Sequence, residues 1–168
     1  VALAVSVMRL AGEKVLVHDM KCIETLARVN VLCVDKTGTI TENTMKVQEF
    51  VPTAEETLNR ELPFLLGDFV QAMSSDNITM EAMKEAFTQN SGRKAATVFS
   101  FSSAYKYSGA VFGDDQLVLG APEFILRDDY SRYAEQIEGY GAQGYRVLVF
   151  ARYLGKLEGG ALTAPVEA

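Results

Sequence analysis

The six residues Val29 to Val34 are apolar apart from Asn30, and Asp-Lys-Thr-Gly-Thr-Ile-Thr follows them at once as Asp35 to Thr41. This juncture constrains the fold more than any other feature of the chain. Val31-Leu32-Cys33-Val34 is β-rich and unbroken by polar residues, as expected of a strand covered on both faces of a parallel sheet. Asp35 stands where such a strand ends. Ligands of open α/β sheets lie beyond the carboxyl ends of the strands, so a carboxylate at that point faces whatever binds.

After Asp35, the residues Thr37, Gly38, Thr39 and Thr41 offer small side chains, hydroxyls and backbone N–H groups around a tight turn, a setting that can wrap the oxygens of a phosphoryl group. A carboxylate attacks a phosphoryl group when a metal ion and fixed positive charge offset the repulsion between the two anions. The string supplies that nucleophile and one cation, Lys36. A bare Asp-x-Thr-Gly reads as a polar turn after a core strand; the full seven-residue string, continued by Glu42-Asn43, points to chemistry.

Asp35-Lys36-Thr37-Gly38-Thr39-Ile40-Thr41 resembles the phosphorylation motif of the P-type ATPases, ion pumps of the haloacid-dehalogenase-like superfamily. The stretch from Cys22 to Val29 is similar to the segment ahead of that motif. The resemblance implies that Asp35 accepts the γ-phosphate of ATP, with Lys36 and Thr37 beside it in the catalytic group. It also implies Mg²⁺ as cofactor, with Asp35 and Thr37 as its ligands on this chain. In related phosphatases the residue two after the nucleophile is a second Asp acting as general acid and base. Threonine transfers no proton near neutral pH, so an aspartyl phosphate here is expected to persist.

With 168 residues, 48% of them hydrophobic, the chain has enough apolar material for a core in one domain or two small ones. A net charge of −6 argues against nucleic acid as a partner, because no basic stripe is present to meet phosphates. Cys22 and Cys33 show no metal-ligand spacing; their apolar contexts predict core thiols in a reducing compartment. No segment reaches the roughly 20 apolar residues that a membrane helix needs. The chain nevertheless opens apolar, from Val1 to Val7, and in the family this position is the cytoplasmic end of a transmembrane helix.

Residues up to Phe50 read as an apolar helix, a possible strand Lys14 to Val17, a helix Ile23 to Arg28, the strand Val31 to Val34 and its loop. Met45 to Val51 alternates like a strand. From Ala54 the texture changes. Ala54 to Met73 reads as one kinked helix or two short ones around Pro63 and Gly67, and Thr79 to Phe87 as a helix capped by Thr79. Ala96 to Phe101, Tyr105 to Phe112 and Gln116 to Leu119 read as strands, the last two joined by the Gly113-Asp114-Asp115 turn. A short helix opens at Pro122, another spans Tyr130 to Tyr140, and Tyr145 to Leu154 is a further strand. This order predicts an antiparallel sheet with helices packed on it.

The second region also resembles the family, whose nucleotide-binding domain follows the phosphorylation loop. Phe101-Ser102-Ser103-Ala104-Tyr105-Lys106 is similar to a Phe-Ser stretch whose Phe stacks on adenine and whose Lys lies near the nucleotide. Gly120-Ala121-Pro122-Glu123 is similar to Lys-Gly-Ala-Pro-Glu, Glu81-Ala82-Met83 to a region whose Glu approaches adenine, and Gly144 to Leu148 to one supplying a phosphate-binding Arg, here Arg146. Taken singly, each is ordinary: Phe101 a strand core residue, Lys106 and Arg146 solvated strand cations, Glu81 a first-turn carboxylate. Their joint order behind Asp35 favours a purine and phosphate site. Leu119 stands where the motif has Lys, which predicts weak nucleotide affinity.

The resemblance thus implies an α+β nucleotide-binding domain (51–157) inserted in an incomplete α/β haloacid-dehalogenase-like phosphorylation domain (12–50 and 158–168), with 1–11 ending a transmembrane helix. The only histidine, His18, precedes Asp19 rather than a proline, which disfavours the heavy-metal pumps and leaves the calcium-pump-like branch. The implied partners are ATP, a transported cation reached through a membrane domain, and the remaining phosphorylation and actuator domains. The implied location is the cell membrane, with this segment on its cytoplasmic side. The family's Thr-Gly-Asp loop and Gly-Asp-Gly-x-Asn-Asp motif do not occur here, so the chain alone is expected to bind ATP at most. A phosphatase of the same superfamily, or a binding module without chemistry, are the alternatives.

Overall fold

The computed structural model describes residues 2–19, 21–36, 38–53 and 56–167. The chain divides into two compact units, residues 1–43 and 44–168.

The first unit holds two helices, α1 (Ala2–Gly12) and α2 (Lys21–Leu26), followed by the Asp35 loop. None of its described residues is buried. The strand expected at Val31 to Val34 is not formed, and Val31 and Leu32 are 72% and 80% exposed. The physical reason is plain: a doubly covered strand draws its stability from neighbouring ladders and overlying helices, and no described strand pairs with this one. Cys22 and Cys33 are exposed for the same reason, so the expectation of core thiols is corrected. Lys14 to Val17 is no strand either; Lys14 takes a left-handed conformation, φ 61°, that breaks extension.

The second unit carries the core. Helices α3 (Glu56–Ala72) and α4 (Ile78–Ala86) precede strands β1 (Thr97–Phe99), β2 (Tyr107–Phe112) and β3 (Asp115–Gly120). Then come α5 (Pro122–Leu126), a single 3₁₀ turn, α6 (Tyr130–Ala142), β4 (Val149–Tyr153) and the short β5 (Val166–Glu167). The five strands form one sheet in sequence order, antiparallel throughout. The second unit is therefore a small α+β domain with an antiparallel sheet, the class expected for that part of the chain.

Strand alternation sorts the side chains onto two faces. Ala110, Phe112, Leu117, Leu119 and Phe150 cluster with Leu66, Phe69, Val70 and Met73 of α3 and with Met80 and Met83 of α4. On the other face, Tyr107, Val118, Ala151 and Tyr153 meet Ile125 of α5 and Leu157 and Leu162 of the C-terminal segment. Full burial of a Leu, Ile, Val, Phe or Met side chain among these contributes about 1.5–3 kcal/mol. That C-terminal segment is stitched down by polar bonds: the Tyr107 hydroxyl donates to Gly160 O at 2.6 Å, and Arg127 donates to the carbonyls of Leu162 and Ala164.

Several predicted bounds shift for identifiable reasons. α3 is one helix with Pro63 inside it, lacking only the N–H that would bond back one turn; the expected residues Ala54 and Glu55 lie outside those described. The cap of α4 is Asn77, whose Oδ1 accepts from Met80 N at 2.9 Å, and not Thr79. Met45 to Val51 keeps its alternation, with Met45 and Val47 turned inward, yet it forms no ladder. Side chains hold it instead: Val47 packs on the core, the Phe50 and Phe87 rings meet edge to face at 5.5 Å, and Tyr140 donates to Glu49 at 3.0 Å. The bond to Glu49, then burial and the charge of Glu49, raise the Tyr140 phenol above its usual range.

Candidate functional site

The Asp35 loop is a turn closed on one carbonyl. Lys36 O accepts from the N–H groups of Ile40 and Thr41, both at 3.1 Å, and from the Thr41 hydroxyl at 3.2 Å. Gly38 takes φ 78°, a left-handed position that suits glycine. Asp35 and Lys36 are exposed at its mouth; Thr37 lies outside the described residues. Among the described residues no three His, Cys, Asp or Glu side chains gather as a metal site. Asp35 alone makes no cage for Mg²⁺, an ion that commonly binds through one or two carboxylates, waters and the phosphates of its substrate.

The nucleotide candidates fall within the second unit, on two neighbouring constructions. The first is built at the end of β3. Gly120 pairs with Tyr107 on one side and with Val149 on the other, so the start of β2, the end of β3 and the start of β4 lie side by side. Lys106 immediately precedes β2, and its carbonyl accepts from Ala121 N at 2.9 Å. Sequence patterning predicted a strand from Tyr105; it begins at Tyr107 because Lys106 takes φ 56°, left-handed for a non-glycine residue. That conformation costs about 1–2 kcal/mol, and such residues cluster where function demands a fixed geometry.

Ser102 organises the turn that holds Lys106. Its N–H donates to Tyr107 O at 3.1 Å, its carbonyl accepts from Lys106 N at 2.7 Å, and its hydroxyl accepts from Tyr105 N at 3.3 Å. Phe101, just past β1, is 53% exposed and so lies outside the core. An aromatic ring held half in water at a sheet end offers a stacking face for a planar ligand.

The second construction is at the start of α4. Glu81 is exposed in its first turn, while Met80, Ala82 and Met83 anchor the helix in the core. Arg146 is not on a strand as expected, because β4 starts only at Val149; it sits in an exposed approach. There its Nη1 donates to Thr79 Oγ1 at 3.0 Å, and the Thr79 hydroxyl in turn donates to Met45 Sδ at 3.4 Å. Arg146 and the helix of Glu81 are thereby joined. Thr79 was missed as a partner because the sequence reading spent it on the cap; Asn77, an equally good capping residue two positions earlier, was the signal.

Leu119 is 5% exposed in the cluster that α3 and α4 cover, so the position where Lys is expected belongs to the apolar core.

The calcium-transporting ATPase CtpE of Mycolicibacterium smegmatis is 41% identical over 150 residues, 89% of this chain and 18% of that protein. The probable cation-transporting ATPase exp7 of Streptococcus pneumoniae is 34% identical over 158 residues, 94% of this chain and 20% of that protein. A probable cation-transporting P-type ATPase of Mycoplasma pneumoniae is 44% identical over 50 residues, 30% of this chain and 6% of that protein. The chain belongs to the P-type ATPases, as a fragment. It spans about a fifth of the length of the first two of these relatives. Neither a family model nor a solved structure matches it. No described helix of this P-type ATPase fragment is long and apolar enough to cross a membrane.

Proposed function

We propose that the second unit is the nucleotide-binding part of a cation pump whose phosphate acceptor is Asp35. ATP rests its adenine against Phe101 near Glu81, its sugar and phosphates pass the Gly120 end of the sheet, and Lys106 and Arg146 meet the phosphates. A carboxylate oxygen of Asp35 then attacks the γ-phosphorus, the bond to the β–γ bridging oxygen breaks, and ADP leaves with the bonding pair, giving an acyl phosphate. Lys36 offsets negative charge beside the nucleophile, and Thr37 gives no general base to hydrolyse the product. Asp35 and Thr37 are the residues of this chain that would hold Mg²⁺, which would offset the negative charge of the phosphates.

The observation that supports the reading most is the joining of Lys106 to Ala121, next to Gly120, and of Arg146 to Thr79 beside Glu81. Five candidates chosen from scattered sequence positions thus fall on the sheet end and the start of α4. In the whole protein, residues 12–50 and 158–168 belong to a haloacid-dehalogenase-like phosphorylation domain and 51–157 to the nucleotide-binding domain. The parent sits in the cell membrane with this segment on its cytoplasmic side, and actuator and membrane domains complete it. The names of the relatives favour calcium as the transported cation.

The experiment is a titration of the ¹⁵N-labelled chain with ATP, with and without Mg²⁺. Amide shifts confined to Phe101, Lys106, Gly120, Arg146 and the start of α4 support the reading, and no shift at millimolar ATP sinks it.

One observation favours a binding-only role for the chain by itself: residues 31–36 are exposed and form no strand, so no described ladder holds Asp35 as a sheet would. Labelled ATP is therefore expected to leave no hydroxylamine-sensitive phosphate on the isolated chain.

A further inference from the structure

Arg146 stands in an exposed stretch, where an arginine side chain ordinarily spreads over many rotamers at a cost of about 2 kcal/mol to order. Here it is held. Its Nη1 donates to Thr79 Oγ1 at 3.0 Å, and the acceptor is itself fixed, because the Thr79 hydroxyl donates to Met45 Sδ at 3.4 Å. A hydroxyl has one hydrogen and two lone pairs. With the hydrogen directed to sulfur, a lone pair is left for the guanidinium, and the rotor has little reason to turn.

The base of this arrangement is rigid. Thr79 lies in the first turn of α4, between the capping bond from Met80 N to Asn77 Oδ1 and the buried side chains of Met80, Ala82 and Met83. A neutral acceptor also matters. A carboxylate partner would cancel much of the guanidinium charge, whereas a hydroxyl orients the group and leaves that charge for an anion.

Resting on the nucleotide reading above, we propose that Thr79 is the positioning residue for Arg146. It holds the guanidinium at the Glu81 end of α4, so that a nucleotide phosphate meets a cation already oriented. The ordering cost is then met by the fold before binding.

The test uses calorimetry on the 168-residue chain with two probes, ATP and adenosine. Thr79→Val keeps the branched shape and removes the acceptor; it is expected to weaken ATP about threefold to tenfold, the range of one hydrogen bond, and leave adenosine unchanged. Thr79→Ser restores the acceptor and is expected to return ATP binding to within about twofold of the unaltered chain, which a loss of packing would not allow. Arg146→Ala weakens ATP at least as much as Thr79→Val, and the double variant is no weaker than Arg146→Ala alone. If Arg146→Ala weakens ATP while Thr79→Val does not, or if Thr79→Val weakens adenosine equally, the positioning role is wrong and the nucleotide reading stands. If the unaltered chain binds no ATP at millimolar concentration, or Arg146→Ala binds as the unaltered chain does, the nucleotide reading fails and this role with it.

Discussion

Gly120 lies so close against Lys106 and Tyr107 that a side chain there has nowhere to go: a Cβ would meet the Lys106 carbonyl, and would lie 2.6 Å from Tyr107 Cβ and 2.7 Å from Tyr107 Cα. The obstacles are mostly backbone, which cannot swing aside. The close approach is what lets Ala121 N–H reach the Lys106 carbonyl and hold that residue left-handed. Gly120→Ala is therefore expected to cost about 1–3 kcal/mol, the range for an overpacked site. Thermal unfolding would show a fall of about 3–6 °C per kcal/mol at this size, and an unchanged midpoint would mean that β2 and β3 separate more easily than their register implies.

Asp68 is a second fixed point. It is 3% exposed on α3, and it accepts from Ser91 N at 2.9 Å, from Gly92 N at 3.1 Å and from the Ser91 hydroxyl. Asp68→Ala strips these donors of their acceptor, for an expected loss of about 1–3 kcal/mol in urea unfolding. Amide exchange at Ser91 and Gly92 should quicken more than at Val118, which is buried in the sheet beyond the reach of this carboxylate.

The second unit was legible in the sequence because its signals are local. The Gly113-Asp114-Asp115 turn between apolar runs set the β2–β3 hairpin, and Pro122 marked the first position of α5. Bounds moved where one residue departed from its neighbours' pattern: φ 56° at Lys106 shortened β2, and Asn77 displaced Thr79 as the cap. The Val31 to Val34 strand failed for a different reason. Apolar patterning reports which residues would be buried if a sheet formed, and says nothing about whether the other strands are at hand. The same limit hid the site's second construction. That Arg146 reaches Thr79, 67 residues away in sequence, is a product of the tertiary fold and leaves no trace in spacing.

Tyr153 and Tyr107 share a cluster and are pushed in opposite directions. Burial alone would raise the Tyr153 phenol, but the hydrogen bonds from Thr163 and from the N–H groups of Thr163 and Ala164, with the Arg127 charge, outweigh it and lower it below 10.0. Tyr107 is raised above 10.0 by burial first, then by the charges of Tyr153 and Tyr105. A lowered phenol contributes stability that is full above its unfolded value and lost as pH falls through its folded one. A raised phenol contributes stability that is full below its unfolded value and lost as pH rises through its folded one. Tyrosinate absorbance should accordingly show Tyr153 ionising early and Tyr107 late. Tyr153→Phe should delete the early step and bring Tyr107 down. A late step that does not move in that variant would show that the two phenols are uncoupled.

On the proposed nucleotide reading, the Leu119 position bears on how tightly phosphates are held. Its side chain is 5% exposed in one cluster with Phe69, Met80 and Met83. Lysine at this position would have to strand its ammonium among those groups or stretch its stem to escape them. Leu119→Lys is therefore expected to destabilise the second unit by about 2–5 kcal/mol, the scale of losing a core leucine, without tightening ATP. On the proposed reading the phosphates are left to Lys106 and Arg146. Calorimetry should accordingly give the unaltered chain an ATP dissociation constant weaker than low micromolar, and Lys106→Ala should weaken it about tenfold further, as loss of one charged hydrogen bond does. A folded Leu119→Lys variant that binds ATP more tightly would mean that this position faces the nucleotide after all, and that the cluster around it opens when the ligand arrives.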